Sequence, residues 1–521
     1  MLKNIEFFKW LFDKDDIEIE STIDLSLCST CSDANIYYPK ELGNFFRTSP
    51  MKRINRILQL GEFINNDSNT YHTRFEHCMG TYNKKKNIIL SLYENTSFRN
   101  YVEKNKKKNY LIAELIKSAG HDIGHLPLSH IIEISVIKKR EFHEVIGKRI
   151  LLENPEIRLC LDAISPQLHK ALKDVLEHDI FGFSSIDEGN YDIDRFDYIV
   201  RDLFYRGKEQ QLQFEPFCLT KININGEEKT VPVFDISSVP SIIEFLKLRQ
   251  TTYKESYFHP INQIRDASVA ITLNELIAKN DPNAQRLQNF IKSLQNCSDT
   301  SQLDLKEYLY WDDLTFYNEL LDVAQYSSDF ALRELSTFVL PHIEALMNMV
   351  FTMLDLRNTP SSDISSEDKK IIHRIHYLIN SNEEFAQNIK DPDKFNKFVL
   401  YTTNPQEIQS LKKNPIANSS INFHTQTLYT YKSSTPIYIK NTDGNIYEID
   451  KLPDTPFPLS SSPEYIPVAF VLPVISQSPR IQQLLTEKCN IQSLFTSFVK
   501  KPNLAPVQTG HSMQRYFSVD R

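Results

Sequence analysis

The 521-residue chain lacks any apolar run of the ~18 residues or more that a membrane-spanning helix needs. It also lacks a clean signal peptide. Acids enter the opening MLKNIEFFKWLFDKDD early and interrupt its apolar core. Cysteine is sparse: seven residues, an odd number, without framework spacing. That excludes a disulfide-built fold and predicts reduced thiols in a cytoplasmic protein. Cys28 and Cys31 form one CxxC, but no second pair stands nearby to complete a zinc site. Positive charge is not in excess. The net charge of −8 argues against general coating of nucleic acid. The local basic runs, Lys84-Lys85-Lys86 and KNKKK at 104–108, read as solvated faces of a charged insertion over 84–110. No internal repeat is evident.

What remains is ordinary for a globular chain, 41% hydrophobic and 24% charged, and long enough for two or three domains. Apolar residues at helical spacing predict helices over 49–63, 111–125, 142–154, 193–206 and 241–259. Asn225-Gly226 between β-rich flanks predicts a hairpin over 221–235, and Asp443-Gly444 a second over 435–449. Helical segments continue past 280. From about 400 the chain turns Ser/Pro/Thr/Asn-rich with short strands. The expected fold is mainly α: a multi-helical core with small β-hairpins, then a mixed α/β C-terminal region. The expected division is an N-terminal segment 1–45, a catalytic core 46–275, a helical extension 276–400 and a loop-rich region 401–521.

Histidine is scarce as well, 14 in all, yet three fall within SAGHDIGHLPLSH (118–130). As the end of a helix, this stretch puts His121 and His125 on one face. A lone His-Asp pair reads as a hydrogen-bonded helix end, too few ligands for a metal. Two more segments change that. YHTRFEHCMGT (71–81) adds His77, and NYDIDRFDYIVRD (190–202) adds four aspartates among apolar residues. A partly buried carboxylate needs a cation or a metal. His77, His121, Asp122 and Asp194 together offer two imidazoles and two carboxylates. That set suits a divalent ion such as Mn²⁺, Mg²⁺, Fe²⁺, Ni²⁺ or Zn²⁺.

H…HD…D in this order is the signature of the HD metal-dependent phosphohydrolases. HTRFEHCMGT, AGHDIGHLPLSH, DIDRFDYIVRD and RQTTYKESYFH, preceded by FFRTSPMKRINRILQLG, resemble the deoxynucleoside triphosphate triphosphohydrolases of that superfamily, which include dGTPase-like enzymes. The resemblance covers about 45 to 260. It implies metal-dependent hydrolysis of dNTPs, with a preference for dGTP, to deoxynucleoside and tripolyphosphate by water attack at the α-phosphorus. It implies that His77, His121, Asp122 and Asp194 hold the metal. It places His125, His130 and His143 along the α-phosphate, with His130 as general acid oriented by Glu133. Arg74, Arg195, Tyr198 and Arg249 match phosphate contacts. Gln59, Leu60, Asp202 and Tyr257 match the deoxyribose pocket, and Tyr253 and His259 lie near it. The family assembles as dimers, tetramers or hexamers, so a homo-oligomer is expected. Animal members are switched on by a guanine nucleotide; the residues that read it there become Arg47 and Asn55 here, which keep none of that chemistry. Two other readings fit the motifs: an HD phosphohydrolase acting on another nucleotide, and a nucleotide-sensing or partner-binding protein.

Overall fold

The computed structural model describes residues 1–24, 34–60, 71–139, 141–208, 210–257, 260–297, 299–341, 343–354, 363–383, 385–387, 400–402, 421–427, 434–452 and 465–471. The fold is mainly α with small sheets. Five helices position the site: α1 (Arg74–Tyr93), α2 (Lys108–Gly120), α3 (Phe142–Glu153), α4 (Ile193–Tyr205) and α5 (Val239–Thr252). Among the described residues, no helix is long and apolar enough to cross a membrane.

Local chemistry sets the helix starts. The Thr73 hydroxyl accepts from the Glu76 backbone N–H while Glu76 reaches back to the Thr73 N–H. This capping box pins the first turn of α1, where His77 sits. Asp192 caps α4 by accepting from the Arg195 N–H at 2.7 Å. The predicted helix over 142–154 is α3 with one residue's difference. The one predicted over 49–63 is shorter, ending at Ile54. Leu58 then bridges Thr73 in antiparallel fashion.

α2 stops at Gly120, short of the predicted 125. Tight i→i+3 bonds follow, Ile123 N–H to Gly120 O and His125 N–H to Asp122 O. They tighten the chain, and the Nε2 atoms of His121 and His125 converge on the same Asp122 oxygen, at 3.5 and 3.2 Å. Leu128 and Ser129 are left-handed, at φ 58° and 65°. This strained turn is held from three sides. Arg53 donates to the carbonyls of Ile123 (3.3 Å) and His125 (2.6 Å). Asp313 accepts from the Leu128 N–H at 2.8 Å, and Tyr308 donates to the Gly124 carbonyl at 2.5 Å.

Asp313 and Tyr308 belong to helices Asp313–Tyr326 and Leu305–Tyr310 of the expected helical extension. Their apolar faces share one core with the catalytic segment. That core runs from Phe7 and Phe8 through Leu115 and Ile146 to Trp311, Leu320 and Ile375. A second, smaller core gathers Tyr191, Phe196 and Phe245.

The hairpin expected at Asn225-Gly226 is β1 (Phe217–Ile224) and β2 (Glu227–Asp235), paired from Phe217↔Phe234 to Ile224↔Glu227. Both turn residues have positive φ, as a two-residue hairpin turn requires. β3 (Tyr438–Lys440) adds to β2 in parallel, and β4 (Ile446–Glu448) pairs with β3 around Asp443-Gly444. Strands 400–402, 465–471 and 421–427 form a separate antiparallel sheet in that order.

The Lys84–Lys86 run departs from its expectation. Lys85 and Lys86 are buried. Lys85 pairs with Asp187 (2.5 Å) and Glu114 (3.3 Å), and Lys84 with Asp197 (2.6 Å). The 100° rotation per residue sends Lys84 and Lys85 to separate carboxylates, which supply the compensation that burial demands. Cys28 and Cys31 lie outside the described residues, as does His259.

Candidate active site

Three segments distant in sequence bring His77 (α1), His121 and Asp122 (the turn after α2) and Asp194 (α4) to one point. His77 Nε2 lies 3.1 Å from His121 Nε2 and 2.9 Å from Asp194 Oδ1. His121 Nε2 lies 3.3 Å from Asp194 Oδ1 and 3.5 Å from Asp122 Oδ1. Neighbouring ligands of an octahedral ion bound at ~2.1 Å stand ~3.0 Å apart, so this spacing fits a divalent ion.

The ring tautomers fit as well. His77 donates Nδ1–H to Asp197 at 2.9 Å, and His121 Nδ1–H to the Ser118 carbonyl at 2.9 Å. Both Nε2 lone pairs are thereby left for a common ligand, the usual arrangement of metal-binding histidine. Burial alone would strip the proton from His77, yet hydrogen bonds to Asp194 and Asp197 push its pKa up to about 9. Burial likewise opposes charge on His121, but Asp122 outweighs it and raises that group too. The carboxylates therefore favour positive charge here, and the donor set suits a divalent ion.

Asp197 is held in turn. It accepts from Lys84 at 2.6 Å and from Arg201 at 2.9 and 3.1 Å, while Arg201 grips Asp24 with two more bonds. A Cβ on Gly80 would strike both Asp197 and Arg201, so glycine is what lets this pair lie against α1.

A second cluster adjoins the first through Asp122. His125 Nε2 is 3.2 Å from Asp122 Oδ1, and its ring stacks on His143 with centroids 4.0 Å apart. Glu133 joins the remaining pair: its carboxylate takes His130 Nδ1 at 3.1 Å and His143 Nδ1 at 3.0 Å. Burial raises the Glu133 pKa, but its bonds to His130 and His143 win and hold it at about 2. His125 goes the other way. Burial and the nearby Arg74 guanidinium keep it neutral, well below the usual imidazole range. His130 is half-exposed, so it is the member of this cluster that faces outward. A Cβ on Gly124 would run into the backbone of His143 and Gly147; its absence lets α3 bring His143 in.

The expected phosphate-binding arginines are engaged by the protein. Arg74, buried, bonds Asp122 and Ser129 and so links the two clusters. Arg195 bonds Asp192 and the Gly189 carbonyl. Burial pushes Asp192 up to about 7 against the pull of Arg195. Arg249 donates to the Asn190 carbonyl at 3.1 Å.

The tyrosines gather beside His77. Tyr198 and Tyr253 share a hydroxyl bond of 2.7 Å, Tyr257 donates to Asp202 at 2.5 Å, and the Tyr198 ring sits 6.2 Å from that of His77. Asp202 also binds His72 Nε2 at 2.6 Å, and the His72 carbonyl accepts from the Gln59 N–H. Gln59, Asp202 and Tyr257 are thus linked through His72; Leu60 is buried beside Gln59. Arg47 pairs with Glu20, and Asn55 accepts from the Thr73 hydroxyl.

Sequence reading did not single out Asp197, His72, Ser129 or Asp313. Asp197 had a signal, being one helical turn past Asp194, but the aspartates of that segment look alike until their partners are known.

No protein-family model matches the chain. A putative HD domain-containing protein of Acanthamoeba polyphaga mimivirus is 31% identical over 179 residues, covering 30% of this chain and 37% of that one. A Dictyostelium discoideum protein named deoxynucleoside triphosphate triphosphohydrolase SAMHD1 homolog is 22% identical over 254 residues, 46% of each chain. The chain therefore spans less than half the length of either relative. The crystal structure of a phosphohydrolase from Bacteroides thetaiotaomicron shares the fold, with a TM-score of 0.55 at 20% identity over 87% of this chain and 99% of that one. HD-domain relatives, a phosphohydrolase fold and a His/Asp donor set converging on one point together support an HD-type phosphohydrolase.

Proposed function

We propose that the protein hydrolyses deoxynucleoside triphosphates, with dGTP preferred, to deoxynucleoside and tripolyphosphate, working as a homo-oligomer. The observation that carries this reading is the adjacency of two clusters with different chemistry. One is a two-His, two-Asp donor set; the other is a histidine group built around Glu133; Asp122 and Arg74 join them. The Dictyostelium relative's name points to the same substrate class.

His77, His121, Asp122 and Asp194 would hold the ion. A divalent ion held there would neutralise phosphate charge and lower the pKa of a water. The chain's own residues do the rest. Asp197 and the Ser118 carbonyl keep both Nε2 lone pairs facing the site. Glu133 accepts from His130 Nδ1–H, and a second proton on Nε2, which makes the ring an imidazolium paired with Glu133, would be the one given to the leaving 5′-oxygen. His125, kept neutral by burial and by Arg74, stacks on His143 beside the place the α-phosphate would take. Asp202, Tyr257 and Gln59 face the sugar, where a close-fitting wall leaves a 2′-hydroxyl unpaired.

A second reading has one observation in its favour. Arg74 and Arg195 direct their charge to Asp122 and Asp192, which leaves less for a triphosphate and suits a less charged nucleotide. Product identity separates the two. Each dNTP and NTP, and each nucleoside and deoxynucleoside monophosphate, is incubated with Mn²⁺ or Mg²⁺ and followed by ³¹P NMR. Tripolyphosphate from dNTPs, absent in His121→Ala/Asp122→Ala, supports the proposal. Orthophosphate or pyrophosphate alone supports the second reading. No turnover of any nucleotide, singly or in mixtures, refutes both and favours a sensor.

A further inference from the structure

Asp313 is fully buried at the start of the helix Asp313–Tyr326, well beyond the segments that carry the histidine clusters. Its carboxylate nevertheless reaches two of the segments that build the site. Oδ2 accepts from the Leu58 N–H at 2.9 Å, and Oδ1 accepts from the Leu128 N–H at 2.8 Å. The Asp313 N–H donates to the Arg56 carbonyl at 3.1 Å. A carboxylate whose two oxygens each hold a backbone donor fixes the separation of those donors.

Each donor belongs to a different wall of the site. Leu58 lies between two backbone bonds, Arg74 N–H to Ile57 O and Gln59 N–H to His72 O, so it moves with Gln59 and with the start of α1. Leu128 and Ser129 are the left-handed pair, a conformation that side chains with a Cβ adopt at a cost. Ser129 accepts from Arg74, and His130 comes next in the chain. Arg53 holds the other end of this turn through the Ile123 and His125 carbonyls, and its charge faces Tyr308, Asp312 and Asp313. A guanidinium on two carbonyls and a carboxylate on an amide thus grip one strained turn from both ends. Strain of this kind persists where the surroundings over-determine it, and there it serves the site rather than the fold.

We infer that Asp313 is a positioning residue for the histidine site. By tying Leu58 to Leu128 it sets the Gln59 segment against the turn that carries Ser129 and His130, and it gives the helical extension a part in turnover. The inference rests on the reading of that site as hydrolytic.

The test compares full-chain Asp313→Asn with Asp312→Asn. A carboxamide keeps the size of the side chain but has one acceptor oxygen, and its NH₂ meets the second backbone N–H, so one of the two bonds is lost. Asp312 is buried as well, and its carboxylate pairs with Arg56 and caps the same helix at Thr315; asparagine keeps that cap. Each protein is loaded with Mn²⁺ and assayed well below its thermal midpoint. Asp313→Asn is expected to lower kcat at least ~tenfold for whichever nucleotide wild type hydrolyses, and Asp312→Asn less than ~twofold. Hydrogen–deuterium exchange read by mass spectrometry reports on the clamp without turnover. In Asp313→Asn, exchange should rise at least ~tenfold in peptides covering 56–60 or 124–130 and stay within ~twofold in peptides of α4. Asp313→Ser, smaller and uncharged, is held to the same outcomes where Asp313→Asn does not fold. Wild-type kcat in a folded Asp313 variant overturns the inference, and so does exchange raised evenly along the chain, the mark of general destabilisation. A wild-type protein that hydrolyses no nucleotide removes the hydrolytic reading, and the exchange pattern alone then upholds or overturns the clamp.

Discussion

Replacing Asp197 by asparagine preserves shape while removing one buried negative charge. Asp197 is 1% exposed and serves three donors: His77 Nδ1, Lys84 Nζ and the Arg201 guanidinium. Breaking a buried pair by deleting one partner costs ~3–5 kcal/mol. Two features place the cost near the lower end. Lys84 is 16% exposed, so its ammonium can reach water. Arg201 keeps both bonds to Asp24, at 2.9 and 2.8 Å. The expected loss is therefore ~3 kcal/mol in urea unfolding without added metal. The support of His77 weakens as well, so Mn²⁺ affinity by calorimetry should drop ~10–100-fold. Adding Lys84→Met to Asp197→Asn removes the orphaned cation and should recover ~1 kcal/mol or more of stability, but not the metal affinity. An Asp197→Asn protein within ~0.5 kcal/mol of wild type that binds Mn²⁺ unchanged would show that this carboxylate neither anchors the cations nor orients His77.

Three further outcomes are expected. Glu133 is held at about 2, below its ordinary 4.5, so it contributes stability above pH 4.5 that is lost as pH falls toward about 2. The stability gap between wild type and Glu133→Gln, from urea midpoints, should narrow across that window; a pH-independent gap would contradict it. Gly124→Ala drives a methyl into the His143 backbone and should lower turnover of whichever nucleotide is hydrolysed by more than tenfold while Mn²⁺ binding at His77 and His121 persists; unaltered turnover would mean the close approach is dispensable. Trp311→Ala empties a fully buried site stacked on Phe290 at 4.9 Å and should cost ~3–5 kcal/mol in urea unfolding, with a loss under ~1 kcal/mol counting against a tightly packed core at that point.

Much was legible from local pattern because the relevant physics is local. Helical apolar spacing marked α3, α4 and α5, and Asn225-Gly226 marked its hairpin through the positive φ that two-residue turns demand. The residue types of H…HD…D already stated a metal-binding chemistry, since two imidazoles and two carboxylates need a cation wherever they meet. The length of helical segments was less legible. Nothing local marks the i→i+3 turns after Gly120, which depend on Arg53, Tyr308 and Asp313 reaching in from elsewhere.

Which like residue does what was decided by tertiary structure alone. The aspartates of one segment are near-equivalent in sequence, yet Asp192 caps α4, Asp194 joins the donor set, Asp197 orients His77, and Asp202 binds His72 and Tyr257. Three consecutive lysines read as a solvated face, yet Lys85 and Lys86 are buried, and carboxylates from other elements pair with Lys84 (Asp197) and Lys85 (Asp187 and Glu114). The physical reason is the same in each case. Secondary-structure periodicity and donor chemistry are properties of short stretches, whereas the charge and hydrogen-bond partner that assign a role come from segments far along the chain.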